Sequence, residues 1–344
     1  MYRLIIRPIL FLISPEKAHK LIVSLLKFFF IIPGVKLLIN GLFVIPNKKL
    51  KTEFCNITFR NPVGLAAGFD KNASFYKQFS SFGFGFIEIG TITPRPQTGN
   101  PIPRLFRLPE DAAMINRMGF NNIGADEAVK NLRKRKNGII IGGNIGKNSS
   151  TSNAYAADDY EICFRKLYDY VDYFVVNVSC PNITNMTELQ DSMMLEGILL
   201  RLTKLRKNKN TYKPILVKIS PDLNFSQIDN VIEIYHRTGI DGIVAVNTTI
   251  HRENLNSPDK LITKIGDGGL SGKPLRKRAL EVIRYISEKS GGKIPMMGVG
   301  GILYPEDALE MIKAGAGLVQ IYTGFIYTGP FVAKKINKAI LKSR

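Results

Sequence analysis

Four kinds of side chain in this 344-residue sequence could do chemistry, and they fall just after apolar runs. Cys180 stands before Pro181, which fixes a turn, and is the one titratable nucleophile or base on these loops. A free thiol has a pKa of about 8.5 and needs a polar or cationic neighbour before it can take a proton from carbon at neutral pH. Lys71 and Lys218 end apolar runs, where an ammonium is partly desolvated and costly unless it meets an anion. Asn116, Asn177, Asn182 and Asn247, with Thr248, can donate and accept around a small planar molecule, although any one also suits an Asx turn. Gly298, Gly300 and Gly301, then Tyr322, Thr323 and Gly324, form turns whose backbone N–H groups suit a phosphate; plain tight turns are the alternative. The set describes a phosphorylated cofactor, and a lysine beside a flavin would favour the negative charge that hydride uptake creates. Cys55 and Cys163 sit in apolar patterns and read as buried filler.

Holding such loops together requires a scaffold with many equivalent strand ends. Apolar runs at Val63–Ala67, Phe84–Gly90, Gly138–Gly143, Tyr173–Val178, Pro214–Ile219, Gly242–Val246, Pro295–Val299 and Leu318–Tyr322 read as eight strands. Helical patterns near 72–82, 122–136, 155–170, 188–207, 225–238, 275–289, 305–314 and 330–342 follow them. Eight βα units predict an α/β fold, a (β/α)8 TIM barrel, with a doubly wound sheet as the lesser alternative. The segments AAGFDKN, GTITPRPQ, GGNIGKN, NVSCPN, VKIS, VNTT, GVGGI and YTGF follow the strands, and a barrel gathers them on one face.

The first 45 residues differ in kind. Between Met1 and Lys51 lie nine basic residues and a single acid, Glu16, in a strongly apolar stretch. Charges interrupt every apolar run short of the roughly 18 residues a span needs, which excludes a transmembrane helix and a secretory signal. Ser14 and Pro15 read as an N-cap and first helical residue; Ala18, Leu21, Ile22, Leu25, Leu26 and Phe29 then form one apolar face. Pro33 and Gly34 break it before Val35, Leu38, Ile39 and Leu42, so residues 1–45 form a two-helix hairpin and 46–344 the barrel. The hairpin either docks on the barrel or lies on an anionic membrane surface.

Composition is ordinary at 45% hydrophobic and 22% charged, which excludes disorder, collagen and coiled coil. The net charge of +20 calls for an anionic partner, whether nucleic acid, acidic lipid or a small molecule. Three cysteines without a CxxC pair, and no histidine cluster, leave no metal site and fit a reducing cytoplasm.

The segments NPVGLAAGFDKN (61–72), GTITPRPQTGNPIPRLFRLPEDAAMINRMGFNN (90–122), NIGKN (144–148), NVSCPN (177–182), VNTT (246–249), GGLSGKPL (268–275) and GVGGI (298–302) together resemble the dihydroorotate dehydrogenases. The long second motif and the helical extension resemble the membrane-associated, quinone-reducing class 2 branch, an FMN-binding (β/α)8 barrel of pyrimidine biosynthesis. The resemblance implies that Ala66, Ala67, Gly68, Lys71, Thr91, Asn144, Asn177, Lys218, Val246, Gly272, Gly301, Tyr322 and Thr323 bind FMN. It places Lys71, Asn116, Arg117, Met118, Gly119, Phe120, Asn177, Asn182, Asn247 and Thr248 around the substrate, and His19, Arg107 and Tyr322 in a quinone tunnel under the hairpin. It makes Cys180 the base that takes the C5 proton while hydride leaves C6, with Lys218 stabilising the reduced flavin. Class 2 usually carries serine at the base; cysteine marks the soluble class 1 branch. The implied protein is a monomer held peripherally at the cytoplasmic face of the inner membrane, with no nucleic-acid partner. Rival readings are a class 1 enzyme using fumarate or NAD, an FMN-barrel tRNA dihydrouridine synthase, and a non-catalytic membrane adaptor.

Overall fold

A computed structural model describes residues 2–135, 138–179, 182 and 192–343. Thirteen strands follow one another in it: β1 (Thr52–Phe54), β2 (Ile57–Phe59), β3 (Val63–Asp70), β4 (Phe86–Ile92), β5 (Leu105–Leu108), β6 (Ala113–Asn116), β7 (Ile140–Ile145), β8 (Tyr173–Asn177), β9 (Ile215–Ile219), β10 (Gly242–Ala245), β11 (Gly269–Gly272), β12 (Met296–Val299) and β13 (Leu318–Ile321). Eight close a parallel barrel in the order β3-β4-β7-β8-β9-β10-β12-β13, the barrel that the apolar runs predict. Its strands are buried on both faces, which is why they read as continuous apolar runs rather than alternating ones. The hairpin β1–β2 packs against the barrel core, where Phe59 meets the Phe86 and Tyr173 rings at 5.1 and 6.3 Å. At the opposite, C-terminal end, β5, β6 and β11 form an antiparallel sheet that the sequence reading lacks. Its strands have four residues each, too few for a period of two to show.

The helical pattern 225–238 is observed as Phe225–Thr238, because Asn224 and Gln227 make a capping box and Gly239 (φ 65°) ends it. The pattern at 72–82 shrinks to Tyr76–Phe79 and a single 3-10 turn, while Thr323–Thr328 is an additional helix.

The N-terminal segment, expected as two helices, folds as three, α1 (Arg7–Phe11), α2 (Pro15–Phe29) and α3 (Val35–Phe43), after a π-helical turn at Tyr2–Ile6. Ser14 occupies the N-cap position, but its side chain makes no cap hydrogen bond. The single apolar face expected on α2 is in fact two. Ala18 and Val23 are buried, with Leu26 packed beside them, whereas Leu21, Leu25 and Phe29 face outward. On α3, Phe43 is buried between Phe82 and Phe331 while Leu38 and Leu42 are exposed. Of 26 large apolar residues exposed among those described, 14 lie before residue 43, so the outward face concentrates there. No helix among the described residues is long and apolar enough to cross a membrane.

Candidate active site

The strand ends of the barrel enclose one deep pocket. Ala66, Ala67, Gly68 and Lys71 enter from β3 and its loop, Thr91 from β4, Asn177 from β8 and Lys218 from β9. Val246, Asn247 and Thr248 follow β10; Gly300 and Gly301 follow β12; Gln320 and Tyr322 to Gly324 come from β13 and the turn after it. The small antiparallel sheet adds Asn116 and Gly272, the loop after β6 adds Met118, Gly119 and Phe120, and Asn182 follows β8. The described lining holds two lysines, several carboxamides and no carboxylate. Such a donor set suits an anionic ligand.

Three expected residues lie outside the lining. Asn144 sits one layer below the pocket, its Oδ1 accepting from Thr91 Oγ1 at 2.6 Å. Arg117 points away: its Nη1 donates to Ile265 O at 2.8 Å, its Nη2 to Pro103 O at 3.2 Å, and the guanidinium lies over the Phe106 ring. The extended run through Asn116 turns consecutive side chains to opposite faces, which sends Asn116 inward and Arg117 outward. Gly298 also lies outside the lining. Cys180 is outside the described residues; Ser179 on one side of it donates to Lys218 O at 2.9 Å, and Asn182 on the other donates to Asn116 Oδ1 at 3.0 Å. Cys163 is buried as expected, while Cys55 is only partly so, with its thiol on Asp241 O.

Gly301 (φ 75°) shows why glycine is needed at the pocket rim: a Cβ there would come within 2.4 Å of Arg276 Cβ. Gly272 (φ 99°) is similar, with Ala112 O at 2.4 Å from the position of a Cβ.

The electrostatics follow from enclosure. Burial lowers Lys71 to about 8, a shift that Glu16 opposes and Arg104 reinforces. His19 falls to about 4 through burial and then the Lys71 charge, so it is neutral at working pH. Burial, then Glu16, pushes Tyr322 up to about 12. His19 and Tyr322 sit edge-on to the same Phe69 ring, at centroid distances of 5.2 and 5.3 Å, so a line of rings runs from α2 to the pocket. Arg107 lies farther out, its guanidinium over Phe11 and its Nη1 donating to Ile13 O at 2.7 Å.

Sequence reasoning missed Glu16 and Arg104, which pair at 3.1 Å between α2 and the barrel mouth. The signal for Glu16 was present, since it is the lone acid among nine bases. It also missed Gln320 in the lining and Glu88 beneath it, each a polar residue inside an apolar strand, LVQI and FIEIGTI.

A family model described as dihydroorotate dehydrogenase matches residues 49–343. Over 342 residues the chain is 52% identical to a dihydroorotate dehydrogenase (quinone) of Christiangramia forsetii, covering 99% of each chain. It is 44% identical to one of Cellvibrio japonicus, covering 94% of each. Among solved structures, DHODH from Eimeria tenella in complex with ferulenol superposes with a TM-score of 0.84 at 34% identity, over 96% of this chain and 91% of that one.

Proposed function

The chain belongs to the dihydroorotate dehydrogenase family, and from that premise we propose how its residues divide the quinone-dependent oxidation of dihydroorotate to orotate, a step of pyrimidine biosynthesis. The observation that carries the reading is the barrel-mouth pocket, lined by Lys71, Lys218 and carboxamides from separate strands and free of carboxylates among its described residues.

The pocket fits FMN. Gly300, Gly301, Thr323 and Gly324 leave room for a phosphate, Lys218 is 6% exposed at the pocket wall, and the buried Oε1 of Gln320 has no hydrogen-bond partner. Ala66, Ala67, Gly68, Thr91, Asn177, Val246, Gly272 and Tyr322 would hold the rest, with Asn144 supporting Thr91 from below. Bound there, FMN supplies the hydride-accepting chemistry.

The protein's own groups do the remainder. Lys71 meets the substrate's anionic edge, and Asn116, Asn182, Asn247 and Thr248 orient its ring. Cys180 accepts the C5 proton, and a thiol needs less help to ionise than the serine usual in this branch. Lys218 offsets the negative charge that arrives with the hydride. His19, Phe69 and Tyr322 line the route toward the hairpin, where quinone enters. The hairpin holds the monomer at the cytoplasmic face of the inner membrane through its exposed apolar residues and its six Lys and Arg side chains.

Anaerobic addition of dihydroorotate to the purified yellow protein tests this. Bleaching that a quinone analogue in detergent reverses, and that fumarate and NAD do not, is expected. Recovery with fumarate or NAD would overturn the acceptor assignment, and flavin left oxidised by dihydroorotate would overturn the substrate.

A further inference from the structure

Glu88 is fully buried on β4, inside the barrel and under the pocket floor. Both of its carboxylate oxygens accept from carboxamides: Oε1 from Asn144 Nδ2 at 2.8 Å and Oε2 from Gln320 Nε2 at 2.5 Å. A carboxylate can only accept, whereas a carboxamide presents a donor on one side and an acceptor on the other. Glu88 therefore decides which way its neighbours face.

The consequence propagates upward. With its NH2 committed to Glu88, Asn144 turns Oδ1 to Thr91, whose hydroxyl donates to it at 2.6 Å. Thr91 Oγ1 is then left to accept from Asn177 Nδ2 at 3.0 Å. Asn177 consequently turns its Oδ1 to Asn247 Nδ2 at 3.2 Å, and Asn247 Nδ2 also donates to Ser179 Oγ at 2.9 Å. On the other branch, Gln320 gives its NH2 to Glu88, which fixes the orientation of the carboxamide that stands in the lining. Thr91, Asn177, Asn247 and Gln320 all line the pocket, so one buried acceptor orients four of its polar groups.

We propose that Glu88 is a positioning residue whose acceptor-only carboxylate fixes the direction of the relay Asn144–Thr91–Asn177–Asn247 and of Gln320, and thereby which polar atoms the pocket offers to FMN and dihydroorotate. This rests on the reading of the pocket given above. An amide at position 88 would face two NH2 groups with one oxygen and one NH2 of its own. Either Gln320 must then reverse, or Asn144 must, and with Asn144 the whole relay.

The variants Glu88→Gln, Asn144→Asp and the two combined separate direction from simple packing. Glu88→Gln preserves shape but removes the direction. Asn144→Asp alone sets two carboxylates face to face. The double variant restores the original sense, because the amide introduced at position 88 donates to the carboxylate introduced at position 144, which accepts from Thr91 on its other oxygen. The measurements are FMN dissociation from each purified protein, KM and kcat for dihydroorotate, and the thermal midpoint. Glu88→Gln is expected to weaken FMN about tenfold, equivalent to about 1.4 kcal/mol, and to raise the dihydroorotate KM more than it lowers kcat. Asn144→Asp should be weaker still, and the double variant should recover to within about threefold of wild type. Wild-type protein that purifies without flavin overturns the pocket reading and this proposal together. Wild type with FMN and a Glu88→Gln protein that binds it equally overturns the relay alone. So does a double variant no better than Asn144→Asp, a comparison that holds even if Glu88→Gln does not fold.

Discussion

The barrel mouth and the N-terminal hairpin solve opposite problems with opposite chemistry. At the mouth, polar groups are buried and almost every one has a partner, so directions are fixed before a ligand arrives. On the hairpin, apolar groups are exposed, with Leu12, Leu37 and Leu38 between 73% and 86% accessible. Exposed apolar surface of this extent is unfavourable in water, and the lipid surface of the proposed function would cover it. The two meet at several contacts, among them the ion pair of Glu16 on α2 with Arg104, whose Nη1 also holds Thr98 O at 2.6 Å and Asn100 O at 2.9 Å. On the proposed function, the dihydroorotate half of the reaction falls to the mouth and the quinone half to the hairpin.

The sharpest break between the regions is expected from the base. Cys180→Ala should slow bleaching by dihydroorotate by about 10²–10⁴, as loss of a general base does, while chemically reduced protein is reoxidised by quinone at the normal rate. Rapid mixing under nitrogen reads both.

Damage to the other region should do the reverse. Replacing Leu21, Leu25 and Phe28 together by serine removes three exposed side chains, each worth about 1.5–3 kcal/mol if fully buried in lipid. Flotation with vesicles containing anionic lipid should show at least a tenfold loss of binding, with bleaching unchanged. Raised salt should weaken the wild-type protein in the same assay.

A smaller effect lies in pH. Lys71, lowered to about 8, is charged below that value and loses its charge above it. Binding of an anionic substrate therefore weakens as pH rises through about 8, and kcat/KM for dihydroorotate falls on that limb. Lys71→Arg should abolish the limb, since a guanidinium stays charged. The smallest effect tests the ion-pair contact between the regions: Glu16 holds the Lys71 pKa up, so Glu16→Gln should move the limb to lower pH.

The barrel was legible because parallel strands buried on both sides leave unbroken apolar runs, and the pocket residues from the barrel follow from standing at the ends of those runs, whereas Asn116, Met118, Gly119, Phe120 and Gly272 come from the small antiparallel sheet and its loop. The exceptions have physical reasons. The Arg117 side chain points out of the pocket because alternation along an extended segment reverses neighbours. The α2 stripe was misread because spacing reports which residues are apolar, not which of two apolar faces meets the barrel. Glu88 and Gln320 stood out as polar letters in apolar strands, yet their meaning depends on being brought together from strands 232 positions apart.

The division of labour is tested most directly with His19→Phe, which keeps a ring against Phe69 and Phe75 but removes the imidazole. The two half-reactions should be timed separately in one anaerobic rapid-mixing experiment. Bleaching by dihydroorotate at the wild-type rate with reoxidation by quinone slowed several-fold is the predicted result. Equal slowing of both steps, or reoxidation at the wild-type rate, would contradict it.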